Sequence, residues 1–82
     1  MTKKLSTESG TLTADYSLTE RTEDGVTQYG IAVRLAETGE EAEAADISPD
    51  RETVESLLAA VSAGGVTPAT LLDVVYDFIS EI

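Results

Sequence analysis

The 82-residue sequence contains no cysteine, no histidine and no tryptophan, and it sets only five lysine or arginine residues against 16 aspartates and glutamates. Without thiol or imidazole there is no disulfide, no cysteine nucleophile, no histidine base, no histidine-based triad and no cysteine or histidine zinc site. Acid–base chemistry is left to carboxylates, Lys and Tyr. A working carboxylate needs a desolvating pocket that so short a chain has little volume to build. The composition therefore predicts a protein that is not an enzyme, with no catalytic residue and no cofactor. The longest apolar run, Leu57-Leu58-Ala59-Ala60-Val61, falls far below the ~20 residues that cross a bilayer. No membrane span is expected. Lys3 and Lys4 precede Leu5, but Ser6-Thr7-Glu8-Ser9 stands where a signal peptide needs an apolar stretch. The cytoplasm is the expected compartment.

Gly-rich phosphate loops are missing as well, and Gly64-Gly65 follows a helical pattern where a phosphate loop would follow a strand. The carboxylates between Glu37 and Asp50 lack the alternate spacing, central Gly and terminal Glu of a calcium loop, so no metal site is predicted. Aromatic residues are limited to Tyr16, Tyr29, Tyr76 and Phe78, with no basic residues interleaved to make a base-stacking platform.

The charge that is present lies unevenly. Residues 1–36 hold four basic side chains against five acidic ones, whereas residues 37–82 hold Arg51 alone against eleven acids. Most of the net charge of −11 therefore belongs to the C-terminal half. Nucleic-acid binding draws its affinity from Lys and Arg neutralising phosphates, so direct contact with DNA or RNA is not expected. An acidic surface has two readings: solubility through like-charge repulsion, or attraction to a basic partner, including one whose nucleic-acid groove it would occupy.

At 82 residues the chain fits one domain with one core, and its 41% apolar content is ordinary for a folded protein. Leu12, Ala14, Tyr16 and Leu18 alternate with polar residues, the period of a strand with one wet face. Glu23-Asp24-Gly25 supplies an Asp-Gly hairpin turn. Tyr29, Ile31, Val33 and Leu35 form the clearest alternation, interrupted by Gly30, which marks a bulge or a close neighbour. Thr38-Gly39-Glu40 is a second turn, and Glu41 to Ile47 reads as an edge strand. Thr2 to Glu8 is either a first strand or a frayed terminus.

Two helices follow. Ser48 and Pro49 read as N-cap and first helical residue, and Val54, Leu57, Leu58 and Val61 recur at i, i+3, i+4 and i+7 on one stripe. Gly64-Gly65 ends that helix, and Thr67-Pro68 repeats the start signal for a second one. On the second helix Leu71, Val74, Val75, Phe78, Ile79 and Ile82 share a broad arc assigned to the core. Asp73, Asp77 and Glu81 line the opposite side. Leu72 and Tyr76 form their own i, i+4 stripe on the shoulder. They either pack on the first helix or the sheet rim, or stay exposed as an acid-rimmed apolar anchor for a protein partner or a homodimer. Leu72, Tyr76, Asp73 and Asp77 are the candidate partner-binding residues.

The segments "YGIAVRL" (Tyr29 to Leu35), "DISPDRETVESLLAAV" (Asp46 to Val61) and "VTPATLLDVVYDFI" (Val66 to Ile79) resemble a family of short acidic bacterial proteins classed as a domain of unknown function. The resemblance covers residues 16–79. It implies strands followed by two C-terminal helices and brings no activity, substrate or functional residue with it. The expected architecture is α+β: an antiparallel meander of three to four strands in residues 1–47, then a helical hairpin in residues 48–82 packed on one face. The expected core is Val54, Leu57, Leu58, Val61, Leu71, Val75 and Phe78 against Tyr29, Ile31, Val33 and Leu35. The expected function is a small non-catalytic acidic protein-interaction module, with nucleic-acid mimicry at the basic groove of a DNA-binding protein as the alternative.

Overall fold

Asp24 and Gly25, at φ 51° and 78°, make a two-residue turn. A two-residue turn between antiparallel strands matches their twist only when both central residues adopt positive φ, which Asp tolerates and Gly adopts freely. The turn sets the pairing of Glu23 with Val26 and, from there, the whole register back to Ala14 with Leu35. The computed structural model, which describes residues 2–8 and 10–80, contains β1 (Thr2–Thr7), β2 (Gly10–Glu23), β3 (Val26–Leu35), β4 (Glu41–Ser48), α1 (Arg51–Ala63) and α2 (Leu71–Ser80). The strands form one antiparallel sheet in the order β1-β2-β3-β4. This is the expected α+β meander with four strands; residues 2–7 are strand, and the edge strand runs one residue past Ile47.

One sheet face is apolar and covered. Ala14, Tyr16, Ile31, Val33, Leu35 and Ala44 point into a core with Val54, Leu57 and Val61 of α1 and Leu71 and Val75 of α2. The other face carries Asp15, Ser17, Arg34, Glu41 and Glu43, all exposed. Antiparallel sheets commonly divide their faces this way, because alternate side chains point in opposite directions. α1 lies across β2 and β3, whereas α2 lies mainly on β4 at the sheet edge. The position of α2 corrects the core expectation. Ile79 is 46% exposed, whereas Phe78, Leu58 and Tyr29 are half-buried and pack against the core as expected; Ile82 lies outside the described residues. A helix over an edge strand buries a narrow stripe and leaves its outer shoulder in solvent.

The helix starts also differ from expectation. Ser48 is still paired with Tyr29 in β4, so it is held extended and its hydroxyl accepts from the Asp50 N–H at 3.0 Å. Asp50 is the N-cap instead, its carboxylate accepting from the Glu52 N–H at 3.1 Å and the Thr53 hydroxyl at 2.8 Å. Aspartate caps as well as serine does. For α2, Thr67 to Thr70 form a separate turn closed by Thr70 N–H on the Thr67 carbonyl at 3.1 Å. Pro68 sits buried in it, and the helix begins three residues later at Leu71.

The end of α1 is tied down more firmly. Gly65 takes φ 63° and donates to the Ser62 carbonyl, and Val66 N–H donates to the Val61 carbonyl, each at 3.2 Å. That paired closure satisfies carbonyls which a helix end otherwise leaves open. The Lys3 ammonium of β1 reaches the Ala63 carbonyl, placing a cation at the negative end of the α1 dipole. The Val66 carbonyl then accepts from the Tyr16 hydroxyl at 2.7 Å. Tyr16 is fully buried, and burial pushes its pKa up. This bond fixes the link between the helices to β2, and so helps to set where α2 starts.

Gly30 answers to both parts of its expectation. The β3–β4 register slips between Tyr29, opposite Ser48, and Ile31, opposite Ala44. Three β4 residues, Ala45 to Ile47, thus face Gly30 alone, with Asp46 at φ 54°. β4 crosses so close that a methyl group on Gly30 would collide with the Ala44 carbonyl oxygen and meet Thr19 Oγ1 at 2.7 Å and Ala45 Cα at 3.0 Å. Beyond this bulge, residues 20–28 continue as a two-stranded ribbon past β1 and β4. Arg21 pairs with Glu23 at 2.7 Å and Asp46 at 3.5 Å, and the Arg51 guanidinium lies 6.0 Å from the centre of the Tyr29 ring. These contacts hold the two faces of the ribbon base.

Candidate functional site

A cleft of about 260 Å³ opens between β4 and α2, walled by Glu43, Ala44, Ala45, Asp46 and Ile47 on one side and Leu72, Val75, Tyr76 and Ile79 on the other. The helical wall follows from sequence spacing: positions i, i+3, i+4 and i+7 share one face of a 3.6-residue helix. Val75 turns into the core, while Leu72, Tyr76 and Ile79 remain 52%, 70% and 46% exposed. Of the two readings left open for Leu72 and Tyr76, the exposed one describes this structure. Both line the cleft opposite the edge of β4.

Among the described residues, four large hydrophobic side chains are exposed: Leu72, Tyr76, Ile79 and Val26. Val26 stands apart beside the Asp24-Gly25 turn, whereas the other three adjoin one another on one helix shoulder. Single exposed apolar residues are ordinary, but a contiguous group is informative. Asp73 and Asp77 follow on the solvent side of the same helix and are exposed, while Glu43 and Asp46 stand at the strand wall. Carboxylates thus flank the apolar surface on both sides.

Three of the five Lys and Arg side chains have defined partners. Lys3 caps α1, Arg21 holds Glu23 and Asp46, and Arg51 holds Glu55 at 2.8 Å. Arg34 stands between its register neighbours Asp15 and Glu41 on the open sheet face. Hydrogen bonds donated to Glu23 and Glu55, with the charge of those carboxylates, push the Arg21 and Arg51 pKa values up. Among the described residues, no Lys or Arg comes within ion-pair distance of Asp73, Asp77 or Glu43. Asp73, Asp77 and Glu43 therefore leave negative charge beside the exposed apolar shoulder, where Asp46 alone is paired.

Glu37 is a different kind of carboxylate. Its side chain accepts from the Thr13 N–H at 2.7 Å and the Thr13 hydroxyl at 2.9 Å. Those bonds, the main-chain one first, hold its pKa below the usual carboxylate range. They fasten the β3–β4 turn to β2, a structural role. No group of three or more carboxylates among the described residues is arranged to hold a metal ion, and no helix is long and apolar enough to cross a membrane.

The sequence brought Leu72, Tyr76, Asp73 and Asp77 forward, and the structure places all four on the exposed side of α2. Sequence reasoning missed Ile79 by assigning it to the core, and it missed the whole strand wall. Ala44, Asp46 and Ile47 carried no signal for either, because which element α2 lies against is a tertiary fact. Neither a curated protein nor a solved structure matches the chain. A family model described as a family of unknown function (DUF6514) matches residues 1–81, a wider span than the segments that carried the resemblance, and the chain belongs to that family.

Proposed function

We propose that the protein is a small, non-catalytic, acidic interaction module that docks a protein partner at the shoulder of α2. The observation that carries this reading is the contiguous exposed group Leu72, Tyr76 and Ile79, bordered by Asp73, Asp77 and Glu43, which make no ion pair among the described residues, and by Asp46, which pairs with Arg21. In the proposed mechanism, the acidic surface attracts a basic partner over a distance set by ionic strength, and the apolar shoulder then anchors it. Burying Leu72 and Tyr76 would contribute on the order of 3–5 kcal/mol before the costs of association. That suits a modest, reversible complex.

The test is capture of partners from cytoplasmic extract by wild type and by Leu72→Glu/Tyr76→Ala, each at low and high salt. Capture weakened by salt and abolished by the double substitution is the expected result. A complex indifferent to both removes the steering and the anchoring together. Adding a DNA oligonucleotide separates the second reading: a partner that the oligonucleotide displaces, and that still binds the double variant, makes the acidic surface a mimic of nucleic acid.

A further inference from the structure

Five consecutive residues of β4, Glu43 to Ile47, line the cleft facing α2. The run is unbroken because the bulge at Ala45 to Ile47, with Asp46 at φ 54°, interrupts the alternation of the strand there, and the regular edge of β4 enters the cleft at Glu43 and Ala44. β4 ends the sheet, and no further strand pairs with its outer side. The opposite wall is a single apolar helix stripe. An open strand edge facing such a stripe is a geometry in which an extended peptide can add as a further strand and set alternate side chains against the helix. We propose that the α2–β4 cleft binds an extended segment of a partner protein, with apolar and basic residues alternating, paired to β4 as a fifth strand. This rests on the reading of the protein as an acidic interaction module, and adds the conformation and composition of what it binds.

Charge selects the occupant. The strand carries Glu41, Glu43 and Asp46, all exposed. A second copy offering its own β4 would set these carboxylates against their like, an arrangement that disfavours edge pairing. The β1 edge of a second copy has the matching sign, but Lys3 is engaged at the Ala63 carbonyl, which leaves Lys4 alone against those carboxylates. A lysine-bearing segment of another protein meets neither obstacle. The cleft, at about 260 Å³, falls below the roughly 300–1,000 Å³ of pockets that enclose small molecules. It has room for a few side chains.

The test titrates the full chain with a labelled seven-residue peptide in which lysine alternates with valine, its ends blocked. Two further peptides carry N-methyl groups on one or the other alternate set of amides. Binding is read by fluorescence anisotropy, and exchange of the residue 41–48 amides is read by NMR. The proposal expects binding that one methylated set weakens by about tenfold or more while the other leaves it intact. It also expects slowed exchange of outward-facing β4 amides, and a loss of about tenfold with Leu72→Glu. Equal binding by all three peptides overturns strand pairing and leaves the acidic module standing, because all three carry the same charge. Absence of binding, or binding that neither salt nor Leu72→Glu weakens, overturns both. A dimer of the free chain that Leu72→Glu dissolves overturns the foreign occupant in favour of a second copy. Should Leu72→Glu fail to fold, Tyr76→Glu, at a 70% exposed position, reads the same wall.

Discussion

Replacing Gly30 with alanine tests the bulge directly. Gly30 does not have the positive φ that penalises a side chain, so the backbone accepts alanine and the effect is one of space. The added methyl meets three neighbours. Thr19 Oγ1, at 2.7 Å, can rotate aside, but the Ala44 carbonyl oxygen and Ala45 Cα are main chain and move only if β4 moves. Overpacking of this kind costs about 1–3 kcal/mol, and the lower conformational freedom of unfolded alanine returns about 0.5–1 kcal/mol. Because two of the collisions are with main chain, the cost falls in the upper part of that range, and the net expectation is a loss of about 1–2 kcal/mol. For a chain of this length, ~0.17 kcal/mol per degree of unfolding entropy converts that to a fall of about 6–12 °C in Tm. Thermal unfolding followed by circular dichroism reads the fall. Adding Thr19→Ala to Gly30→Ala should recover only part of it, because the main-chain collisions remain. A Tm equal to or above wild type would show that β4 does not cross Gly30 as closely as described, and the strand wall of the cleft would fall with it.

Three further outcomes follow from contacts described above. Tyr16→Phe keeps the buried ring but removes the bond to the Val66 carbonyl, and should cost about 1–2 kcal/mol in urea unfolding; a neutral result would refute the role of that bond in tying the helices to β2. Glu37→Gln should reduce stability at neutral pH. Because the Glu37 pKa is lower in the folded state, its contribution is complete above the ordinary glutamate value and disappears as pH falls through the depressed one. The difference between wild type and variant in urea midpoint should therefore shrink on acidification, and a difference that is constant with pH would refute the assignment. Added sodium chloride should raise Tm. At about 0.01 M salt the Debye length of about 30 Å exceeds two of the three dimensions of the 45 × 24 × 17 Å molecule, so the net charge of −11 repels itself across the fold. A Tm that falls with salt would mean that ion pairs outweigh this repulsion.

Local chemistry made most of the fold readable. The Asp24-Gly25 turn, the Tyr29 to Leu35 alternation, the Val54 to Val61 stripe and the Gly64-Gly65 stop are each fixed within a few residues. Gly30 was readable as an anomaly, although its cause, β4 crossing above it, was not. Ser48 was read as the cap, and the pairing of Ser48 with Tyr29 in β4 passed that role to Asp50, which caps as well. Thr67-Pro68 imitates a helix start because a Thr-Pro turn uses the same chemistry. For the site, the sequence reached the surplus on α2 through Leu72 and Tyr76. It stopped there, because whether a helix shoulder is covered depends on where the sheet ends beneath it. Ile79 illustrates the limit: its angle on the helix matches a core position, and its exposure follows from α2 lying over an edge strand.

The bond between Tyr16 and Val66 spans 50 residues, whereas every strand in the sheet pairs with its neighbour in the chain. Loops between such neighbours close at low entropic cost, so the sheet can assemble hairpin by hairpin as the chain emerges during synthesis. The cleft has no such early start. Its helical wall follows the strand wall in the chain, and a contact reaching back to β2 helps to set where it starts, so during synthesis the strand edge emerges before the helix that faces it.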